Sequence, residues 1–164
     1  MNKQEYIFDS NIFIRLNRDL LPPDIWPTVW EILRQLYRED KWHLLSCVRE
    51  EILKGNDGLV DWIKQQCFVS IPVSDVATIN SYSMIMDNLV QQNHYTFTAV
   101  QDYAKSADSW IVAYAHAHHA TIVTLEISSV KTSVVRIPDI ADKNGAIWMD
   151  MNKYFRQKDI ALKH

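Results

Sequence analysis

The chain has 164 residues, of which 48% are hydrophobic and 23% charged, and its formal net charge is −3. These values predict one compact domain over residues 1–164 and exclude a disordered tail. No apolar stretch approaches the roughly 18 residues that cross a membrane, and the N-terminus lacks the apolar region of a secretion signal. We therefore expect a cytoplasmic protein without membrane contact. The negative charge disfavours a general nucleic-acid-binding protein, so any such surface must be local.

Strand-like and helical patterns alternate along the sequence. Apolar runs predict strands at 6–8, 41–46, 67–74, 120–125 and 133–141. Three- and four-residue spacing of apolar residues predicts helices at 26–37, 47–55, 57–66, 74–93 and 106–119, and a last helix or turn region at 146–160. Pro27 suits the first turn of its helix, Gly55 ends the next helix, and Ser74 is a candidate N-cap.

The predicted strands are apolar throughout rather than alternating, which is typical of a parallel sheet covered on both faces. With the helix–strand alternation, this pattern predicts an α/β fold, a three-layer α/β/α sandwich with a central, mainly parallel sheet. The chain has only three glycines and no glycine-rich phosphate loop, which disfavours a Walker-type NTPase or a dinucleotide-binding protein. Cys47 and Cys67 lie in apolar sequence and predict buried, reduced thiols.

Four acids occupy positions that the topology could bring together. Asp9 directly follows the first predicted strand, and Glu126 follows the strand at 120–125. Ligands of open parallel sheets bind beyond the carboxyl ends of the strands. Glu51 lies a few residues after the strand at 41–46, and Asp108 lies at the start of the helix at 106–119. We therefore expect all four at one edge of the sheet.

Clustered carboxylates repel one another, and without a counter-charge some of them take up protons. Mg²⁺ or Mn²⁺ removes this repulsion, because hard divalent cations prefer oxygen ligands. Such ions also activate water and stabilise the leaving oxygen of a phosphodiester. On this interpretation Asp9 is charged within an apolar run because it binds metal.

Each acid also has a purely structural interpretation. Asp9 begins "DSN", which suits a turn or an N-cap, and Asp108 suits a helix N-cap or first turn. Glu51 would be a solvated helix acid like its neighbour Glu50, and Glu126 an exposed loop acid. The constellation is more specific than any one of its members.

Four short motifs, in chain order, carry a resemblance to a known family. They are "YIFDSNIFI", "REEILKG", "SADSWIVAYA" and "ATIVTLE", and they contain Asp9, Glu51, Asp108 and Glu126. Over nearly its whole length the chain resembles PIN-domain proteins, metal-dependent ribonucleases that include the VapC-type toxins of bacterial toxin–antitoxin pairs. The fourth acid is more often Asp in those toxins. Glu126, together with the Trp-rich segment 24–40, looks like a subgroup of uncharacterised bacterial PIN-like proteins with a Thr-x-Glu fourth motif.

The resemblance implies a PIN-like fold and a Mg²⁺- or Mn²⁺-dependent endoribonuclease that hydrolyses RNA phosphodiesters. Its metal ligands would be Asp9, Glu51 and Asp108, with Glu51 selected over Glu50 by its spacing to Gly55. Glu126 would bind a second metal or hold a metal-bound water. The residues that would orient these carboxylates are Ser10, Asn11 and Thr124. The implied partners are an RNA substrate, an antitoxin protein and a second copy of the chain in a homodimer.

Several alternatives compete with this interpretation. The main one is a catalytically degenerate PIN-like module that binds RNA or protein, suggested by Glu126 in place of Asp. A phosphatase of the haloacid-dehalogenase type needs an acid where Asn11 stands. Lys105 or Arg15 could contact a phosphate, although solvated surface charges explain both.

Two other groups of residues have simpler explanations than function. The cluster "AYAHAHHA" could bind a metal through His116 and His119, although a solvent-facing helix rim accounts for it. Trp30 and Trp62 sit at core-like helical spacing. Core packing is therefore favoured for them over stacking on RNA bases or lining a groove for a partner.

Overall fold

The computed structural model describes residues 4–39, 41–66 and 68–159, so the prediction for Cys67 lies outside the described residues. The strands are β1 (Tyr6–Phe8), β2 (Leu44–Leu45), β3 (Ser70–Ile71), β4 (Thr121–Thr124) and β5 (Ile147–Asp150). The helices are α1 (Ser10–Arg15), α2 (Pro27–Arg38), α3 (Ser46–Leu53), α4 (Gly58–Gln65), α5 (Val76–Gln91), α6 (Phe97–Lys105), α7 (Ala107–His118), α8 (Ile137–Asn144) and α9 (Met151–Gln157). A π-helical turn, Leu16–Leu20, continues α1.

The strands lie side by side and pair in parallel. One ladder has the order β1-β4-β5 and a second joins β2 to β3. A parallel bridge between Ile7 and His43, with the His43 N–H donating to the Tyr6 carbonyl at 2.8 Å, connects β2 to β1. The resulting order is β3-β2-β1-β4-β5. The strand order therefore reverses between β1 and β4, and this is the point at which open α/β sheets bind ligands.

Both faces of the sheet are covered. Neighbouring residues of a strand face opposite sides of the sheet. Ile7 and Phe8 of β1, and Ile122 and Val123 of β4, have no exposed surface. Layers of other elements must therefore cover each side, and the three-layer α/β/α arrangement predicted from the apolar strands is confirmed.

An aromatic cluster anchors the end of β1. The Phe8 ring stacks on Trp42 and lies edge-on to Tyr154, each with ring centroids 5.0 Å apart, and it also contacts Phe13. Offset and edge-on aromatic pairs of this kind add stability beyond the area that they bury. The residue after Phe8 is Asp9, so this packing fixes the position of the first predicted site residue.

The prediction for segment 133–141 as a strand is wrong, because residues Ile137–Asn144 form α8. Pro138 sits in the first turn of this helix, where a missing N–H is tolerated. Gly145 ends the helix with a left-handed φ of 74°. The run Val134-Val135 before the helix suggested a strand, but the proline and glycine set the helix boundaries.

Other local predictions also need correction. The region at 146–160 begins with β5, an edge strand whose side chains are mostly partly or fully exposed, so it lacks the buried apolar run of the central strands. Helix α6 was not predicted. It starts at Thr96, whose side chain accepts from the Ala99 N–H. Asp75 rather than Ser74 caps α5.

The prediction that the two tryptophans pack in the core fits the structure. Trp30 is 4% exposed, and its ring centroid lies 5.0 Å from that of the partly buried Trp62. Among the helices of the described residues, none is long and apolar enough to span a membrane.

The left-handed conformation of Gly145 makes a testable prediction. Gly145→Ala should lower the free energy of unfolding by about 1–2 kcal/mol, because a Cβ is disfavoured at this φ whatever the available space. Gly58→Ala is the matched control. Gly58 begins α4 in an ordinary conformation with open space around it, so alanine should stabilise the protein by about 0.5–1 kcal/mol. Urea denaturation measures both changes, and equal effects would contradict the assigned conformation.

Candidate metal centre

Asp9 is a fully buried carboxylate at the end of β1. Its backbone N–H donates to the Val123 carbonyl at 3.0 Å, which extends the pairing of β1 with β4. Its Oδ1 accepts from the Asn11 N–H at 3.2 Å and caps α1, while the Ser10 hydroxyl lies 3.5 Å away. Its Oδ2 accepts from the Thr124 hydroxyl at 2.9 Å. The N-cap interpretation of Asp9 is therefore correct, but it does not account for complete burial without a paired cation.

Glu51 is linked to the same cluster through Ser10. The Ser10 hydroxyl donates to Glu51 Oε2 at 2.5 Å, and Ser10 is itself buried. Glu51 is partly buried, whereas its neighbour Glu50 is exposed. The structure therefore places Glu51, and not Glu50, beside Asp9.

Asp108 enters the cluster from the first turn of α7, and its residue is only partly exposed. Burial raises the pKa of Asp108, and the nearby carboxylates of Asp9, Glu126 and Glu51 raise it further. Among the described residues, none donates a hydrogen bond to its carboxylate. The four acids of the four sequence motifs thus lie near one another at the carboxyl ends of β1 and β4, as the topology suggested.

Glu126 is the most fully paired of the four acids. Its Oε1 accepts from Arg136 Nη1 at 2.7 Å, and its Oε2 accepts from the Ile137 N–H at 2.8 Å. Its own N–H donates to the Thr124 hydroxyl at 3.0 Å. The side chain is only 8% exposed, so its interpretation as an exposed loop acid is wrong.

Burial and mutual repulsion raise the proton affinity of the two central acids. Burial raises the pKa of Asp9 to about 6, against the lowering effect of its bonds to Asn11 and Thr124. Burial, followed by the charges of the other three acids, raises the pKa of Asp108 to about 8, while Arg136 lowers it. Without a further cation, the cluster therefore holds protons that ordinary carboxyl groups release.

Two cavities open beside the acids, and both are lined by Asn11, Glu126 and Arg136. The first has a volume of about 310 Å³, and Asp108 and Tyr103 also line it. The second, of about 490 Å³, also contacts Arg15, Leu125 and Ile127. Arg15 therefore faces the site from α1, whereas Lys105 is exposed and is not among the residues lining either cavity.

The donor set suits Mg²⁺ or Mn²⁺, because it consists of carboxylate oxygens in a crevice with excess negative charge. Asp108 and Asp9 would hold such an ion, with Glu51 next to them. As the side chains stand, no group of three or more His, Cys, Asp or Glu within the described residues converges closely enough to hold one. Binding would therefore need side-chain movement toward Asp9.

Two neighbours of the site were missed in the sequence. Arg136 precedes "IPDIA", and only the recognition of α8 as a helix would have placed it opposite Glu126. Tyr103 lies in α6, which was not predicted. Its hydroxyl is buried and has no hydrogen-bond partner among the described residues, and the nearby Asp108 and Glu126 charges add to the burial that raises its pKa.

The histidine cluster joins two helices. His116 Nδ1 lies 2.9 Å from the Ser81 hydroxyl of α5. His118 Nε2 lies 3.1 Å from the Thr78 hydroxyl and 3.2 Å from Asp75 Oδ1. These contacts hold α7 against α5 and differ from a rim that only faces solvent.

The raised pKa values predict that the metal-free protein loses stability as pH rises. In the unfolded chain both acids titrate near 3.8, so the folded state binds more protons from about pH 4 to about pH 8. Asp108→Asn removes the charge at nearly constant shape. In EDTA at pH 8 this variant should be more stable than the parent protein by on the order of 2 kcal/mol, with the gain vanishing near pH 4.

Urea denaturation across this pH range measures the effect. Asp87→Asn, at an exposed position of α5, is the matched control and should leave the pH profile unchanged. An Asp108→Asn variant that is less stable than the parent at pH 8 would contradict the electrostatic assignment.

The orphaned hydroxyl of Tyr103 gives a separate prediction. Tyr103→Phe should raise the free energy of unfolding by about 1 kcal/mol, because it removes a buried polar group that has no partner. Tyr154→Phe is the control, since the Tyr154 hydroxyl donates to the Lys41 carbonyl at 3.3 Å and its loss should destabilise the protein. Thermal melts that fall equally for both variants would refute the prediction.

Comparison with known proteins gives a family but no function. No curated protein and no solved structure matches the chain. The model of DUF4411, a domain of unknown function, matches residues 6–162 and so takes in all four acidic motifs and Arg136. Since this match covers almost the entire sequence, the chain belongs to the DUF4411 family.

Proposed function

We propose that this protein is a metal-dependent endoribonuclease that hydrolyses RNA phosphodiesters with Mg²⁺ or Mn²⁺. One observation carries the proposal. Asp9 and Asp108 are crowded together at the switch point of the sheet, with pKa values raised to about 6 and about 8. Perturbed acids in a cleft are typical of functional sites.

A divalent cation is the simplest counter-charge for this crevice. Arg136 offsets only part of the charge of four acids, and it is already paired with Glu126. A bound divalent ion would supply the Lewis acidity that phosphodiester hydrolysis requires. Ser10 would fix the orientation of Glu51, while Thr124 and the Asn11 N–H would fix that of Asp9.

The proximity of the four motif acids supports the resemblance to PIN-domain ribonucleases. On that basis we extend the proposal to a PIN-like fold and to a cytoplasmic toxin of a bacterial toxin–antitoxin pair. Its partners would be an antitoxin protein and a second copy of the chain.

A second candidate is a PIN-like module that binds RNA or protein without cleaving. The hydrogen bonding of Glu126 favours this candidate, because both of its carboxylate oxygens already accept hydrogen bonds and are not available to a metal ion. The lack of a ready three-ligand group among the described residues points the same way. The two candidates differ in whether the acids bind a metal ion at all.

The test is cleavage of a total-RNA pool by the purified protein with Mg²⁺, Mn²⁺ or EDTA, alongside Mn²⁺ titration by calorimetry. We expect cleavage only with a divalent ion. Asp9→Asn and Asp108→Asn should each reduce cleavage by more than about a hundredfold, since each would remove a direct ligand. The exposed Asp87→Asn variant should retain full activity.

The possible outcomes separate the two candidates. Cleavage that survives in both variants would reveal a contaminating nuclease. Folded protein that neither binds Mn²⁺ nor cleaves any RNA would favour the non-cleaving module. Circular dichroism of each variant confirms that a lost activity does not reflect lost folding.

A further inference from the structure

We propose that Arg136 binds a phosphate of the RNA strand and that Glu126 is the positioning residue that holds Arg136 for this task. The inference rests on the proposed function for its substrate class. It assigns the fourth acid a role different from metal ligation. It also adds a basic residue to a site that the sequence motifs describe by acids alone.

Glu126 and Arg136 form an ion pair in which the acid is buried and the arginine is partly exposed. Glu126 is 8% exposed, while the Arg136 side chain is 41% exposed and contacts it through Nη1 at 2.7 Å. A guanidinium group has five N–H donors in a fixed plane, so this contact leaves other donors available to a ligand. Glu126 thus fixes Arg136 through Nη1, while the exposed N–H groups of the guanidinium remain accessible to a ligand.

Hydrogen bonds fix the orientation of Glu126. Its second oxygen accepts from the Ile137 N–H at the start of α8, and its backbone N–H is held by Thr124. Both side-chain oxygens are therefore committed to donors from the segment that begins α8. A metal ion would have to displace one of these donors, whereas the carboxylate of Asp108 has no donor to displace among the described residues.

Arg136 lies in the wall of two cavities. It lines both the cavity of about 310 Å³ that contains Asp108 and the cavity of about 490 Å³ that contains Arg15. A nucleic-acid strand that crosses the site from one cavity to the other would pass this guanidinium. Arginine matches phosphate oxygens bidentately, so the group available there suits a phosphodiester better than a neutral ligand.

Binding of a fluorescein-labelled oligouridylate, followed by anisotropy in EDTA across a range of salt concentrations, tests the inference without turnover. Arg136→Ala should weaken binding by about tenfold. It should also reduce the slope of log affinity against log salt by about 0.7, the amount expected for one phosphate contact on a single strand. Arg136→Lys should keep the slope and lose affinity, because it keeps the charge without the fork geometry.

The variant Glu126→Gln separates a positioning role from metal ligation. The glutamine amide is neutral and has one acceptor oxygen instead of two, so it cannot accept from both Arg136 and the Ile137 N–H, and it loses the ion pair that holds the guanidinium. We expect the same loss of RNA affinity as in Arg136→Ala, no further loss in the double variant, and a Mn²⁺ dissociation constant within about twofold of the parent. Asp108→Asn, by contrast, should weaken Mn²⁺ binding by more than about tenfold without weakening RNA binding in EDTA.

Arg34 and Glu31 provide a matched control, because they form an ion pair on the exposed side of α2. Arg34→Ala and Glu31→Gln should leave RNA affinity and its salt slope unchanged. Thermal melts of all variants establish that the fold is retained.

The inference is overturned if Arg136→Ala leaves RNA affinity and slope unchanged, if Glu126→Gln weakens Mn²⁺ binding as Asp108→Asn does, or if the parent protein binds no RNA. Metal-dependent cleavage with an unaffected Arg136→Ala variant would overturn this inference alone. RNA binding that depends on Arg136, without any cleavage, would overturn the ribonuclease proposal and leave the role of Arg136 standing.

Discussion

The structure depends on the burial of one carboxylate, that of Asp9, where β1 gives way to α1. An isolated buried carboxylate costs several kcal/mol, and hydrogen bonds from the Asn11 N–H and Thr124 offset part of this cost. Those bonds require α1 to start at Ser10 and β4 to pair with β1. Asp9 therefore brings an unfavourable buried charge into the site and also joins α1 to β1 and β4.

Much of this fold could be predicted because its central strands are fully buried. Strands β1 and β4 appear in the sequence as continuous apolar runs, and α2 shows regular apolar spacing after Pro27. The elements that escaped prediction did so for different reasons. Strand β5 is mostly exposed at its edge, and α8 follows valines whose local preference favours strand. The edge position of β5 in the sheet, and the proline and glycine that bound α8, decided these segments.

The candidate site could be predicted only in part, because local and functional explanations of its residues coincide. Asp9 caps α1 and is also a buried member of the acidic cluster. The sequence "DSN" fits both roles and could not distinguish between them. Arg136 could not be recognised as a site residue in the sequence for a different reason. A strand at 133–141 would continue past Arg136, whereas the chain enters α8 directly after this residue, and Glu126 accepts from both the Arg136 guanidinium and the Ile137 N–H.

The distribution of pairing among the four acids suggests a division of labour. Glu126 is neutralised by Arg136, and Glu51 and Asp9 accept hydrogen bonds from neutral donors. Asp108 has neither an ion pair nor a hydrogen-bond donor among the described residues, and its pKa is raised further than that of Asp9. Because a cation gains most where carboxylate charge is least satisfied, Asp108 together with Asp9 forms the place where a divalent ion would bind. In the ribonuclease that we propose, Arg136, which Glu126 holds one residue before α8, would bind the phosphate.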